Sequence, residues 1–183
     1  MKVVSVIMLL ACAFLLPACE TVRADEPVQI GNSLTLPAVA NALQSGGFQA
    51  LLSNSQSVPA GVLGKIISGI NGISVDVLGL KCKDSQDEIC ALAFKVTFND
   101  AKNIINTNSL NLLNKKMIFA KAVSVDKPNA SGMRQFNVVY MFFCRGLTDT
   151  RFVVPLLKEF GSDLARASKA YTSGALASPP VPQ

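Results

Sequence analysis

The sequence predicts the α+β class: an antiparallel β-sheet with helices packed on one face. Three observations carry this. Apolar runs that alternate with polar residues recur between turn residues. One pair of such runs is joined by Asn71-Gly72, the dipeptide that closes a tight hairpin. The elements run helix, three or four strands, helix, two strands, helix, an order that an antiparallel sheet with helices packed on one face accounts for.

The elements follow in order. Thr35 offers a side-chain oxygen as N-cap, and Pro37 falls in the first turn, where a missing N–H does no harm. Leu36, Val39, Ala40 and Leu43 keep helical spacing until Gly46-Gly47 ends the run. Phe48–Leu52 reads as a first strand and Ser53–Gly61 as a turn region. Gly64–Ile70 and Ile73–Cys82 are rich in Ile, Val and Leu on either side of Asn71-Gly72. Both central residues of a type I′ turn need positive φ, which Asn and Gly tolerate. After the polar loop Lys83–Ile89, Cys90–Phe98 places Leu92, Phe94, Val96 and Phe98 on one face, with Ala93, Lys95 and Thr97 on the other.

Asn99–Lys116 is rich in Asn, a poor helix former. Within it Ser109–Lys116 reads as a short helix capped by Thr107 or Asn108. Ile118–Asp126 alternates as a strand, and Lys127–Gly132 supplies the turn. Met133–Cys144 is the longest strand, with Phe136, Val138, Tyr140 and Phe142 on one face. Thr148 is placed to cap a final helix with Asp149 at its positive end. Its buried stripe is Phe152, Leu156, Phe160, Leu164, Ala167 and Tyr171, and Pro155 implies a kink or a later start. No internal repeat is visible.

The flanks read as something other than fold. Lys2 precedes Val3–Leu16, an uncharged apolar run. That run falls short of the about 20 residues a membrane-spanning helix needs. With Pro17 and the small-residue site ending at Ala24, it reads as a signal peptide over 1–24, giving an exported, periplasmic chain with no transmembrane span. Leu16-Pro17-Ala18-Cys19 also resembles a lipobox, so a lipoprotein anchored at Cys19 is the alternative. Residues 25–33 form a flexible lead-in. Residues 172–183, with Pro179, Pro180 and Pro182, read as a disordered tail.

Composition narrows the chemistry. Half of the 183 residues are hydrophobic, which excludes a disordered chain, and His and Trp are absent. Lacking His, the chain cannot build Ser-His-Asp or Cys-His devices, or His-bearing zinc or haem sites. The net charge is +5, but the basic residues are scattered: Lys81, Lys83, Lys95, Lys102, Lys115, Lys116, Lys121, Arg134, Arg145 and Arg151. Nucleic acid wants a clustered stripe with exposed aromatics, so none is expected as a partner. A mild attraction to anionic lipid or an envelope polymer is physically reasonable. Asp84, Asp87 and Glu88 lack the spacing and Gly turn of a calcium loop and read as a solvated hairpin tip.

Cys82 and Cys90 sit at the mouth of a hairpin, where cross-strand distances suit a disulfide. In an oxidising compartment a structural bridge is the leading reading. A redox-active pair, or a zinc site with Cys144 as third ligand, is the alternative. Cys144 otherwise reads as a buried apolar residue.

Several pieces in order also resemble a known family. They are the step Gly46-Gly47-Phe48 after a short helix, and the hairpin Ile70-Asn71-Gly72-Ile73. Cys82 and Cys90 follow around a charged loop, then Leu92-Ala93-Phe94. Leu110–Lys116 runs into Ile118-Phe119-Ala120-Lys121-Ala122, and a last strand meets a helix with a Phe stripe. From Leu34 to Tyr171 (34–171) the chain thus resembles the YbjN-domain family, described as candidate sensory transduction regulators of bacteria. The resemblance implies a type III secretion chaperone-like fold and supplies no catalytic residues to carry over. Where that family is acidic with aromatics, this chain has Asn, Lys and aliphatics, so no acidic patch is carried over either.

The expected function is therefore a non-enzymatic interaction module of the bacterial envelope, chaperone-like or regulatory. It would have an unidentified protein partner, with a homodimer as one arrangement. No catalytic residue, cofactor or metal is expected, and Cys82 and Cys90 are the site residues. The alternative is an envelope protein that binds an apolar small molecule or lipid between sheet and helices. An enzyme built on Lys, Asp or Ser alone is a more distant reading.

Overall fold

The computed structural model describes residues 34–53, 58–85 and 88–173. The expected signal peptide and lead-in, and the tail from 174 onward, lie outside the described residues. In chain order the elements are α1 (Leu36–Ser45), β1 (Ala50–Ser53), β2 (Val62–Ile70), β3 (Ile73–Lys81) and β4 (Ile89–Asn99). There follow α2 (Thr107–Lys116), β5 (Lys121–Val125), β6 (Gln135–Phe143) and α3 (Val153–Thr172). The strands form one antiparallel sheet in the order β1-β2-β3-β4-β6-β5. The α+β class expected from the alternating runs is the class observed.

The hairpin chemistry explains the first half of the sheet. Asn71 and Gly72 take φ of 52° and 77°, as a type I′ turn requires. Ile70 and Ile73 therefore pair directly. Register then aligns Ile66, Val77, Phe94 and Tyr140 across four strands. Because strand side chains alternate, this row and every second row beside it present one apolar face. The helices cover that face. Val39 and Leu43 of α1, Leu113 of α2, and Val153, Leu157, Phe160 and Leu164 of α3 are all 0 % exposed. Phe94 lies between the rings of Tyr140 and Phe160, at 6.1 and 6.0 Å.

Several boundaries differ from expectation, each for a local reason. The first strand begins at Ala50, not Phe48, because the Phe48 N–H closes the turn after α1 by donating to the Leu43 carbonyl at 2.9 Å. The cap of α2 is Asn106, rather than Thr107 or Asn108. Asn106 Oδ1 accepts from the Ser109 N–H at 3.0 Å, and Ser109 Oγ accepts from the Asn106 N–H at 2.6 Å. This reciprocal box satisfies two donors. Lys115 and Lys116 close the same helix, where cations suit the negative end of its dipole.

Strand β5 begins at Lys121 instead of Ile118, because residues 118–120 give their N–H groups to a side chain of α3. Neither Thr148 nor Asp149 caps α3, which starts at Val153 behind Phe152. Asp149 instead pairs with Arg151. Pro155 falls in the first turn of α3, where its absent N–H has no helical acceptor to lose. The helix includes Thr172 and is capped by Ser173, so the chain is still ordered where the tail was expected to begin.

Candidate interaction surfaces

Among the described residues, the second face of the sheet carries no helix. Leu51, Ile67, Asp76, Lys95, Val139 and Lys121 form one row across it, and Lys65, Leu78, Ala93 and Met141 form the next. Lys65 pairs with Asp76 at 3.3 Å. Thr97 donates to the Asn137 side chain at 2.8 Å, so one half of this face is polar. The half toward Cys82 and Cys90 is apolar, built from Leu78, Leu80, Met141 and Phe143. Phe143 is 76 % exposed and Met141 46 %. At the far edge Leu51 is 68 % exposed.

A second surface lies on the helical side, at the segment between α2 and β5. Asp163 is buried in α3, and its carboxylate gathers three consecutive backbone donors. Oδ1 accepts from the Ile118 N–H at 3.0 Å, and Oδ2 accepts from Phe119 and Ala120 at 2.7 Å each. Arg166 donates to Oδ1 at 2.7 Å. Burial pushes the Asp163 carboxyl up, but the N–H groups of Ala120, Ile118 and Phe119, with Arg166, outweigh it and hold it below the ordinary value. The clasp fixes the backbone while Ile118 stays 63 % and Phe119 45 % exposed. The Phe119 ring leans on Tyr140 at 5.9 Å.

The predicted site residues fall as follows. Cys82 and Cys90 are joined in a disulfide with Cα atoms 4.9 Å apart. Cys144 is near them along the backbone, its N–H donating to the Cys90 carbonyl at 2.9 Å. Its thiol turns into the core and takes no part in the bridge. Burial pushes that thiol up to about 11, so it is neither a ready nucleophile nor a ready ligand. Among the described residues no group of three or more cysteines and carboxylates could hold a metal ion. Asp84 of the acidic loop pairs with Arg145 at 2.7 Å.

One cluster has the residue types of a Lys-based active site but spends them on structure. Asp100 accepts from the Ile104 and Ile105 N–H groups at 3.1 and 2.9 Å and from the Tyr171 hydroxyl at 3.2 Å. Lys102 Nζ donates to the carbonyls of Tyr171 and Thr172, closing the end of α3. Burial, then Asp100, pushes the Tyr171 hydroxyl above its ordinary value despite the N–H groups of Lys102 and Ala101.

Sequence reasoning missed the 118–119 tip. Read as a strand, Ile118–Asp126 would have hidden one of those two side chains. The available signal was an aspartate inside the apolar stripe of α3. Two clefts open at the sheet's margins. One of about 540 Å³ lies where β1 stops short of β2, lined by Phe48, Ile67 and Ile73 among others. One of about 430 Å³ lies between the start of α2 and β5, lined by Leu110, Ser124 and Arg134 among others.

Among the described residues this arrangement defines an α+β protein with a six-stranded antiparallel sheet, three helices on one face and none on the other. The chain is similar to solved structures. YbjN from E. coli, a candidate transcription regulator, is 10% identical with a TM-score of 0.50, covering 81% of this chain and 97% of that one. An uncharacterized protein from Methanothermobacter thermautotrophicus is 11% identical with a TM-score of 0.49, covering 76% of this chain and 98% of that one. The likeness to YbjN shows a YbjN-like fold. The sequence matches no family model and no curated relative.

Proposed function

We propose that the chain is an exported, non-enzymatic interaction module of the bacterial envelope, chaperone-like or regulatory in role. The observation that carries this reading is the uncovered sheet face, where Phe143 and Met141 stand exposed beside Leu78 and Leu80. A monomeric protein rarely leaves contiguous apolar surface without a use. Lys95 and Lys121 on the same face suit a partner segment that is apolar with acidic flanks. The Cys82–Cys90 bridge supports export, since such bonds persist in oxidising compartments. A binder of apolar small molecules finds less support, because the side chains between sheet and helices pack against one another at 0 % exposure.

The test is site-specific crosslinking in living cells. A photoreactive residue in place of Phe143 should trap an envelope protein, and the same residue in place of Lys158, on the exposed side of α3, should not. Equal trapping from both positions, or none from position 143, would reject the reading. Intact mass of the exported chain bears on its address: a start at Asp25 supports a soluble protein, whereas a lipid-modified Cys19 supports an anchored one.

A further inference from the structure

We propose that the tip between α2 and β5 is a docking site for an anionic lipid bilayer, with Ile118 and Phe119 entering the headgroup–acyl boundary and lysines holding the phosphates. Two independent features support it. The first is a rigidly displayed apolar pair. A loop that merely tolerated exposed side chains would not require a buried carboxylate. Here Asp163 fixes the backbone of 118–120 through three N–H groups, while Ile118 and Phe119 remain 63 % and 45 % exposed.

The second feature is charge. Lys115 and Lys116 precede the pair and Lys121 follows it, all exposed. The segment therefore reads Lys-Lys-Met-Ile-Phe-Ala-Lys, with only Met117 and Ala120 turned inward. Facing it, α3 contributes Glu159, which is close enough to affect Tyr140, and the Asp163–Arg166 pair. Four cations against two carboxylates leave the tip positive. Apolar side chains ringed by lysines are what an anionic interface selects: the hydrocarbon removes the apolar surface from water, and each lysine adds attraction to lipid phosphates. A protein pocket would be expected to supply hydrogen-bond partners, and the tip's own N–H groups are already taken by Asp163. Ile118 and Phe119 lie apart from Met141 and Phe143, and Lys121 is shared with the sheet face, so the two Trp positions distinguish lipid docking at the tip from partner binding on the sheet.

The absence of Trp from the sequence makes the test clean. Ile118→Trp and, separately, Phe143→Trp each give a chain with a single indole at a known place. The chain is used as recovered from expressing cells, with its N-terminus fixed by mass. It is mixed with vesicles of phosphatidylglycerol and phosphatidylethanolamine, or of phosphatidylcholine alone.

The Ile118→Trp emission should shift to the blue and be quenched by lipids brominated near the headgroup, with the anionic vesicles only. Phe143→Trp emission should not move. Reversing Lys115, Lys116 and Lys121 together to Glu should weaken vesicle binding by at least about 100-fold, since losing the three positive charges alone is worth about fivefold each. Reversing the exposed Lys158 and Lys169 of α3 should change it little. Molar salt should release the protein, since it screens within about 3 Å. Several results would overturn the proposal: no shift at position 118, an equal shift at position 143, or equal loss from both sets of charge reversals. So would an indole at 118 that responds to a captured protein and to neither vesicle. If the triple reversal fails to fold, the position-dependent shift of the two Trp variants still decides.

Discussion

Asn114 clamps the backbone of Ala122 on both sides of its Cα: Oδ1 accepts from the Ala122 N–H at 2.6 Å, and Nδ2 donates to the Ala122 carbonyl at 3.1 Å. The side chain does for β5 what a neighbouring strand would do. This matters because β5 is an edge of the sheet, and an unpaired edge is a template for unwanted pairing. Replacing Asn114 with Ala leaves the Ala122 N–H and carbonyl without partners at a residue only 3% exposed. The expected cost is about 1–3 kcal/mol, read by urea unfolding, with concentration-dependent association in size-exclusion chromatography. A loss below about 0.5 kcal/mol would mean that water replaces the amide and that the edge is not blocked by it.

The clamp also marks where the sequence stops being legible. Local rules gave the hairpin, because Asn71-Gly72 specifies its own turn. They also gave the inward faces of β4 and β6, because alternation is a property of consecutive residues. The Cys82–Cys90 bridge could be read for the same reason, from a hairpin whose ends must meet. The start of β5 could not, because it is set by Asp163, more than forty residues away in sequence. Three successive polar residues, Asn106, Thr107 and Asn108, could each cap α2, and only the reciprocal partner Ser109 selects the first. Alternation also showed that the sheet has two unlike faces, but not that all three helices of the described residues would pack on the same one.

Asp163 predicts a particular pH dependence. Its carboxyl titrates below the ordinary value in the folded protein: burial opposes this, and the N–H groups of Ala120, Ile118 and Phe119 with Arg166 prevail. A depressed folded pKa means the unfolded chain binds the proton first on acidification. The stability it contributes is therefore full above the unfolded value, about 3.9, and is lost as pH falls through the folded value. Asp163→Asn lacks that increment at every pH. The gap in unfolding free energy between wild type and Asp163→Asn should be wide and level near neutral pH, then narrow below about pH 4. A gap that stays constant into acid would show that the carboxylate's charge is not what holds residues 118–120.

The disulfide closes a short loop of about nine residues, for which chain entropy gives about 2.6 kcal/mol of stabilisation. Cys82→Ser/Cys90→Ser should lower the unfolding free energy by about that amount and leave the fold intact, since the sheet pairs β3 with β4 without it. Alkylation distinguishes Cys144, the free thiol among the described residues. In the native, unreduced protein at pH 8, Cys144 should stay unmodified, being buried with its thiol pushed up to about 11. It should react once the chain is unfolded. Peptide mapping reads both outcomes, and a bridge containing Cys144 would contradict the burial of its thiol in the core.

The seat of α3 gives the last prediction. Phe160 is 0 % exposed and its ring stands 6.0 Å from Phe94, at the centre of the layer between helix and sheet. Its neighbour Gly161 brings the helix down onto β2: a Cβ there would lie 2.3 Å from Ile70 Cδ1. The two positions therefore test the same packing from opposite directions. Phe160→Ala should cost about 3–5 kcal/mol by opening a cavity. Gly161→Ala should cost about 1–3 kcal/mol by overpacking, and Ile70 must move to admit it. Against a total of roughly 5–15 kcal/mol, the first variant should be near the limit of folding at room temperature. Combining Gly161→Ala with Ile70→Val trims the methyl that the new Cβ meets, so the pair should cost less than the two single changes added together. Urea unfolding of the four variants settles it. An unshifted Phe160→Ala transition would mean that the stripe of α3 is a partner-binding surface and not the core it forms here.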